Sequence, residues 1–241
     1  MLRKNILFNL FNGFIQIAGV HDVPEALLLA ECGVHSVGLP LRLPVNKEDI
    51  TEAEAVSLIE QTRNAILPVC ITYLKDADEI LSFCNKLSVN HVQLHGDISL
   101  KELQRLSEKA PHLYVIKSLV VQQDGSNKTA LLRAVAETAP YVDCYITDSH
   151  NPETGADGAT GLTHDWSISA ELVRISPHPV ILAGGLTPDN VAAAIRAVSP
   201  AGVDAHTGVE DATGRKNRER VCAFVREARK AFSERHEHKQ T

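Results

Sequence analysis

Eight short apolar runs alternate with eight amphipathic stretches along this chain, and no other feature restricts its fold as strongly. The apolar runs cover 14–18, 34–39, 67–73, 91–95, 113–119, 142–147, 180–183 and 202–206. Between them, apolar residues recur at helical spacing over 24–32, 51–64, 76–87, 99–109 and 129–138, then from near 165, from near 187, and over 217–232. Gly33 closes the first of these helices, and Thr51 is placed to cap the second. Strict strand–helix alternation with short connections implies a parallel sheet, and eight such units close it on itself. A chain of 241 residues suits one barrel of about 250 residues. An open doubly wound sheet seldom carries eight units, and no G-x-G-x-x-G follows the first apolar run. The expected fold is therefore α/β, a single (β/α)8 TIM barrel over 14–232, with a short N-terminal extension at 1–13 and a polar C-terminal tail at 233–241.

Composition narrows the function classes. A hydrophobic fraction of 44% fills a core of this size, which argues against disorder. A net charge of -6 offers no basic stripe for nucleic acid, and no apolar run is long enough to span a bilayer. Residues 1–13 begin with Arg3 and Lys4 and carry apolar positions at Leu2, Ile6, Leu7, Leu10 and Phe11, interrupted by asparagines. No small-residue cleavage site follows, so an amphipathic extension packed on the barrel is expected rather than a secretory signal. Five widely spaced cysteines (Cys32, Cys70, Cys84, Cys144 and Cys222) form no C-x-x-C pair, a pattern of free thiols in a reducing cytoplasm. His236 and His238 belong to a polar end expected to fray.

Two glycine turns point to a ligand. In Val180-Ile181-Leu182-Ala183-Gly184-Gly185-Leu186-Thr187-Pro188-Asp189-Asn190-Val191, an apolar strand ends in a glycine pair. A helix start is spelled after it, with Thr187 as a cap, Pro188 in the first turn and Asp189 near the positive dipole end. Such a turn leaves backbone N–H groups facing open space, an anion cradle most often used for phosphate. A similar turn follows in Gly202-Val203-Asp204-Ala205-His206-Thr207-Gly208-Val209-Glu210. In TIM barrels the loops after strands 7 and 8 commonly build a phosphate site.

With these stretches in hand, the chain resembles the phosphoribosylanthranilate isomerase family of tryptophan biosynthesis. The resemblance rests on Val92-Gln93-Leu94-His95-Gly96, on Gly158-Ala159-Thr160-Gly161 with Asp165-Trp166, on Leu182-Ala183-Gly184-Gly185-Leu186 with Asn190-Val191, and on Val203-Asp204 with Gly208-Val209-Glu210. It implies an Amadori rearrangement, in which an aminoaldose becomes an aminoketose. Asp148, ending the sixth strand, matches the family's general acid. Gly158, Thr160, Gly184, Gly185, Thr207 and Gly208 match its phosphate-binding positions. His95 and Asp204 are shared with the family and read as hydrogen-bonding residues that fill the barrel. No cofactor or metal is implied, since proton transfer needs neither. The implied partner is a phosphorylated sugar-amine substrate, with neither nucleic acid nor membrane, and the implied assembly a monomer or homodimer.

Two departures stand out. The family's general base is a cysteine in a Lys-x-Cys-Gly motif, and here those positions read Gln16-Ile17-Ala18-Gly19. Cys144 shares a strand face with Asp148 but lies roughly 13 Å deeper in the barrel, and Cys70 sits mid-strand. His21 and His206, at the ends of the first and eighth strands, are the candidate replacements, because a histidine with an ordinary pKa of about 6.5 suits proton abstraction. The second departure is Glu48, which falls where the family has an arginine that holds a carboxylate. A site acidic there suits a substrate bearing an amine or amide, with Lys47 or Arg42 as other residues of that loop able to reach inward. Three readings follow: an isomerase of a phosphoribosyl amine, a barrel lyase or epimerase on a phosphorylated ligand, or a silent phosphate-ligand-binding protein.

Overall fold

The structure, a computed structural model, describes residues 13–44, 48–149 and 163–240. Short β-branched and apolar runs form eight parallel strands: β1 (Phe14–Ala18), β2 (Ser36–Pro40), β3 (Leu67–Thr72), β4 (His91–Leu94), β5 (Tyr114–Val121), β6 (Cys144–Ser149), β7 (Val180–Leu182) and β8 (Gly202–Ala205). They pair in chain order, and β8 returns to β1 with Phe14 opposite Gly202 and Gln16 opposite Asp204, so the sheet is a closed barrel. Around it lie α1 (Val23–Glu31), α2 (Glu52–Thr62), α3 (Ala77–Leu87), α4 (Leu100–Lys109), α5 (Lys128–Thr138), α6 (Trp166–Ile175), α7 (Val191–Val198) and α8 (Arg218–Gln240). The expected (β/α)8 TIM barrel is the observed fold. Among the described residues, no helix is long and apolar enough to cross a membrane.

Alternation along each strand divides the core in two. One face packs outward beneath the helices, as Ile15, Ile17, Val37, Leu39, Val92 and Val203 do. The other faces the barrel axis. Its lower part is apolar, a separate cluster of Phe14, Val69, Tyr114, Ile116, Cys144, Ile146, Ile181 and Ala183. A Cβ on Gly202 would lie 2.8 Å from that of Phe14, so glycine there is what lets Phe14 fill the barrel floor. Above the floor the interior turns polar. Gln16 Nε2 donates to Gln93 Oε1 at 3.1 Å, and Ser36 Oγ donates to Gln16 Oε1 at 3.0 Å. This gradient, greasy below and polar above, confines any polar chemistry to the C-terminal ends of the strands.

Local signals set most helix starts. Thr51 and Glu54 form a reciprocal capping box on α2, and Asp22, Asp76, Ser99 and Asp165 cap α1, α3, α4 and α6 through their side chains. The helix after β7 begins later than the sequence suggests. Thr187 Oγ1 accepts from Asp189 N in a turn, Asn190 Oδ1 accepts from Thr187 N, and α7 starts only at Val191. The polar end does not fray at Phe232, because α8 continues to Gln240. Its residues there are good helix formers, Arg196 pairs with Glu234 at 3.2 Å, and Arg235 Nη1 donates to Pro200 O at 2.6 Å. Of the expected extension at 1–13, only Gly13 lies within the described residues, against the ring of Phe232.

The expectation that all five cysteines are free thiols is corrected. Cys70, Cys84 and Cys144 are free and buried, but Cys32 and Cys222 form a disulfide with their Cα atoms 5.1 Å apart. Spacing along the chain hid the pair, since 190 residues separate the two. Barrel closure makes the first and last helices neighbours and brings them together. Replacing both by serine is expected to lower stability by about 2–5 kcal/mol, read as a drop in the urea or thermal midpoint. The denatured, unreduced wild type should titrate three thiols, the number of free cysteines, and five would contradict the bridge.

Candidate functional site

Asp148 is the next-to-last residue of β6, and strand alternation turns its carboxyl toward the barrel axis at the rim. Its Oδ1 accepts from Ser149 N at 2.8 Å, and its Oδ2 lies 4.0 Å from His95 Nε2. The other ring nitrogen of His95 lies 2.8 Å from Ser118 Oγ, and Tyr73 meets the ring edge-on at 5.0 Å between centroids. His95 therefore stands beside Asp148 as well as filling the barrel. The barrel also holds a second carboxyl, Asp204, which is 8% exposed and has an Oδ1 without a hydrogen-bond partner. Burial, and then the charge of Asp148, push Asp204 well above the usual carboxylate range, which favours its protonated form.

On the β1 side the strand ends in Ala18, whose methyl group cannot titrate. The next residue, Gly19, has φ +72 and is overlain by two side chains from elsewhere in the chain. A Cβ at Gly19 would lie 2.1 Å from His206 Nε2 and 2.9 Å from Asp49 Oδ2. Only glycine permits that approach. His206 Nε2 is 3.5 Å from Glu210 Oε1 and 3.9 Å from Asp49 Oδ2. His21 lies on the other side of Asp49, with Nε2 4.0 Å from Asp49 Oδ1 and Nδ1 3.3 Å from Glu25 Oε2. Beneath, Lys216 has a fully buried side chain that donates to Glu210 Oε1 at 2.6 Å and to His206 O at 3.2 Å. Burial, the Lys216 charge and the His21 charge lower His206 to about 3, so its ring is neutral. Burial raises Asp49.

Between these two sides lie the glycine turns. Gly184 and Gly185 have φ +96 and +59, and a Cβ on Gly184 would stand 2.3 Å from Ser149 Oγ. A Cβ on Gly208 would come within 1.9 Å of Leu186 O, so the turns after β7 and β8 interlock through a missing side chain. Thr207 and Gly208 open a short 3-10 turn. Among the described residues no hydrogen bond engages the backbone N–H of Gly185, Thr207 or Gly208. Ser149 is fixed by His164, whose Nδ1 lies 2.9 Å from Ser149 Oγ and whose Nε2 lies 2.6 Å from Ser169 Oγ. Burial lowers His164 to about 4, so this buried link is uncharged.

Asp148, His21, His206, Gly184, Gly185, Thr207 and Gly208 thus meet at one end of the barrel. Gly158, Thr160 and Lys47 lie outside the described residues. Glu48 is set apart from the expected role, because its Oε1 accepts from Arg42 N and closes the loop on itself. Arg42 likewise turns away, over the Phe83 ring at 3.9 Å and onto Glu52 Oε1 at 2.8 Å. Sequence reasoning missed Asp49, Glu25, Lys216 and His164. The four-residue step from His206 to Glu210 was the one legible hint of the carboxylate cluster.

The chain is similar to known proteins along most of its length. Residues 22–227 match the family model described as N-(5′-phosphoribosyl)anthranilate (PRA) isomerase. The chain is 36% identical over 219 residues to N-(5′-phosphoribosyl)anthranilate isomerase 2 of Methanosarcina mazei, covering 90% of this chain and 95% of that one. It is 34% identical to N-(5′-phosphoribosyl)anthranilate isomerase of Haloferax volcanii over 218 residues, covering 90% and 93%. The crystal structure of phosphoribosyl anthranilate isomerase from Thermotoga maritima superposes with a TM-score of 0.75 at 26% identity, covering 90% of this chain and 99% of that one.

The raised pKa of Asp204 gives a pH-dependent test. A carboxyl whose folded pKa is raised keeps its stability contribution at low pH and loses it as pH climbs above the ordinary value of 3.8 toward the raised one. Asp204→Asn, uncharged at every pH, is expected to gain in Tm over the wild type as pH rises through that window. A constant difference would mean that Asp204 ionises freely.

Proposed function

This chain belongs to the phosphoribosylanthranilate isomerase family, and we propose that it performs the Amadori rearrangement of N-(5′-phosphoribosyl)anthranilate in tryptophan biosynthesis. Asp148 donates a proton to the ring oxygen of the sugar, which opens to an iminium. A base then removes the C2′ proton to give an enolamine, and ketonisation completes the aminoketose. Gly184, Gly185, Thr207 and Gly208 hold the phosphate through N–H and hydroxyl donors, with the start of α7 behind them. Gly158 and Thr160 join them by the resemblance. The proton-accepting side is the cluster over Gly19, where His21 and His206 flank Asp49.

One observation carries this reading. Asp148 stands three strands around the rim from β1, with the two glycine turns on the strands between. Acid, phosphate cradle and proton acceptor therefore surround one opening, as the Amadori rearrangement of a sugar phosphate requires. Family membership does not favour a lyase, an epimerase or a silent binder. The biosynthetic role supports a cytoplasmic location, with the protein acting as a monomer or homodimer and no cofactor invoked.

Turnover of phosphoribosylanthranilate, followed by loss of anthranilate-type fluorescence, tests the proposal. Asp148→Asn is expected to lower kcat by about 10²–10⁴-fold. Gly208→Ala pushes a methyl group into Leu186 O and should raise KM by about 10–100-fold through lost phosphate contacts, with a smaller change in kcat. Full activity in Asp148→Asn would contradict its role as the acid.

A further inference from the structure

Ala18 leaves the end of β1 without a group that can accept a proton, so the acceptor has to reach there from another element. We infer that Asp49, in the loop after β2, takes the C2′ proton, with His21 and His206 as positioning residues on its two sides. This assignment rests on the isomerase reading above.

Geometry separates the three candidates. Asp49 Oδ2 reaches over Gly19, beside Ala18, to within 2.9 Å of where a Cβ would stand. His21 has both ring nitrogens turned to carboxylates, Nδ1 to Glu25 at 3.3 Å and Nε2 to Asp49 at 4.0 Å, which leaves none for a substrate. The Nε2 of His206 is likewise turned to Glu210 and Asp49. Base strength points the same way. A ring lowered to about 3 is a weaker base than a carboxylate held above its ordinary 3.8. The charged and titratable groups facing Asp49 are His21 after β1, Glu25 on α1, His206 after β8, and Lys216 before α8. Burial raises Asp49, the His21 and Lys216 charges oppose the rise, and Glu25 adds to it.

The step balances within the site. After Asp148 has protonated the ring oxygen, the C1′–O bond breaks and the nitrogen lone pair forms the iminium. The C2′–H bond then breaks toward an Asp49 oxygen, and its electron pair becomes the C1′–C2′ double bond while the iminium pair returns to nitrogen. On ketonisation, Asp49 gives its proton to C1′, and the 2′ hydroxyl returns one to Asp148. No oxidant or metal is consumed.

The test compares variants with phosphoribosylanthranilate as substrate. Asp49→Asn should lower kcat by about 10²–10⁴-fold with KM nearly unchanged, whereas His206→Asn and His21→Asn should cost less than about tenfold. In His21→Asn the acid limb of the kcat profile should move to higher pH, because the His21 charge is one of the forces holding Asp49 down. Ala18→Cys, which returns a thiol to the end of β1, should recover activity in Asp49→Asn and none in Asp148→Asn. That recovery also shows that Asp49→Asn folds. An active wild type whose Asp49→Asn variant keeps kcat within tenfold overturns the assignment and leaves the isomerase reading standing. A loss in His206→Asn equal to or greater than that in Asp49→Asn hands the role to His206 and also overturns it. A wild type without turnover overturns both readings together.

Discussion

Pairing of β1 with β8 is the contact on which both the fold and the site depend. Four backbone registers, from Phe14 with Gly202 to Ile17 with Ala205, turn an edge-bearing sheet into a closed ring. The same pairing lays His206 over Gly19, and it brings α1 beside α8 so that Cys32 meets Cys222. Glycine is required at two points of this seam. Gly202 makes room for Phe14 in the floor, and Gly19 makes room for His206 and Asp49 at the rim. A side chain at either place would push apart the parts that closure assembles.

Desolvation then decides the charge state of the upper barrel. Asp204 is pushed toward its protonated form because burial and the Asp148 charge both disfavour a second anion. His206 and His164 are both lowered by burial and remain neutral, although each stands near a carboxylate. Lys216 is lowered by burial too, and Glu210 and Glu25 oppose that shift. A phosphate brought to the glycine turns would meet backbone donors rather than a cluster of cations, a way of binding that needs no mobile counter-charge.

Much of this was legible in the sequence, and what was hidden has a common cause. Strand–helix alternation made the barrel legible, and the Gly184–Gly185 and Gly208 turns could be read as turns, because both signals are local. Asp148 was legible because a strand end fixes where a side chain goes. The cluster over Gly19 was not. Asp49, Glu25 and Lys216 lie far apart in the chain and become neighbours only when β1, the loop after β2 and the segment after β8 are brought together by closure. The disulfide was hidden for the same reason. In the irregular loop after β2 the sequence does not say which of two adjacent carboxylates turns inward; Glu48 accepts from Arg42 N, and Asp49 faces the histidines.

Ala18 leaves this barrel without a thiol at the end of β1, so its isomerase activity should not depend on cysteine. The most direct measurement is turnover of phosphoribosylanthranilate by the wild-type chain before and after treatment with iodoacetamide. Turnover that survives thiol alkylation is the predicted result. No turnover, or turnover abolished by alkylation, would contradict it.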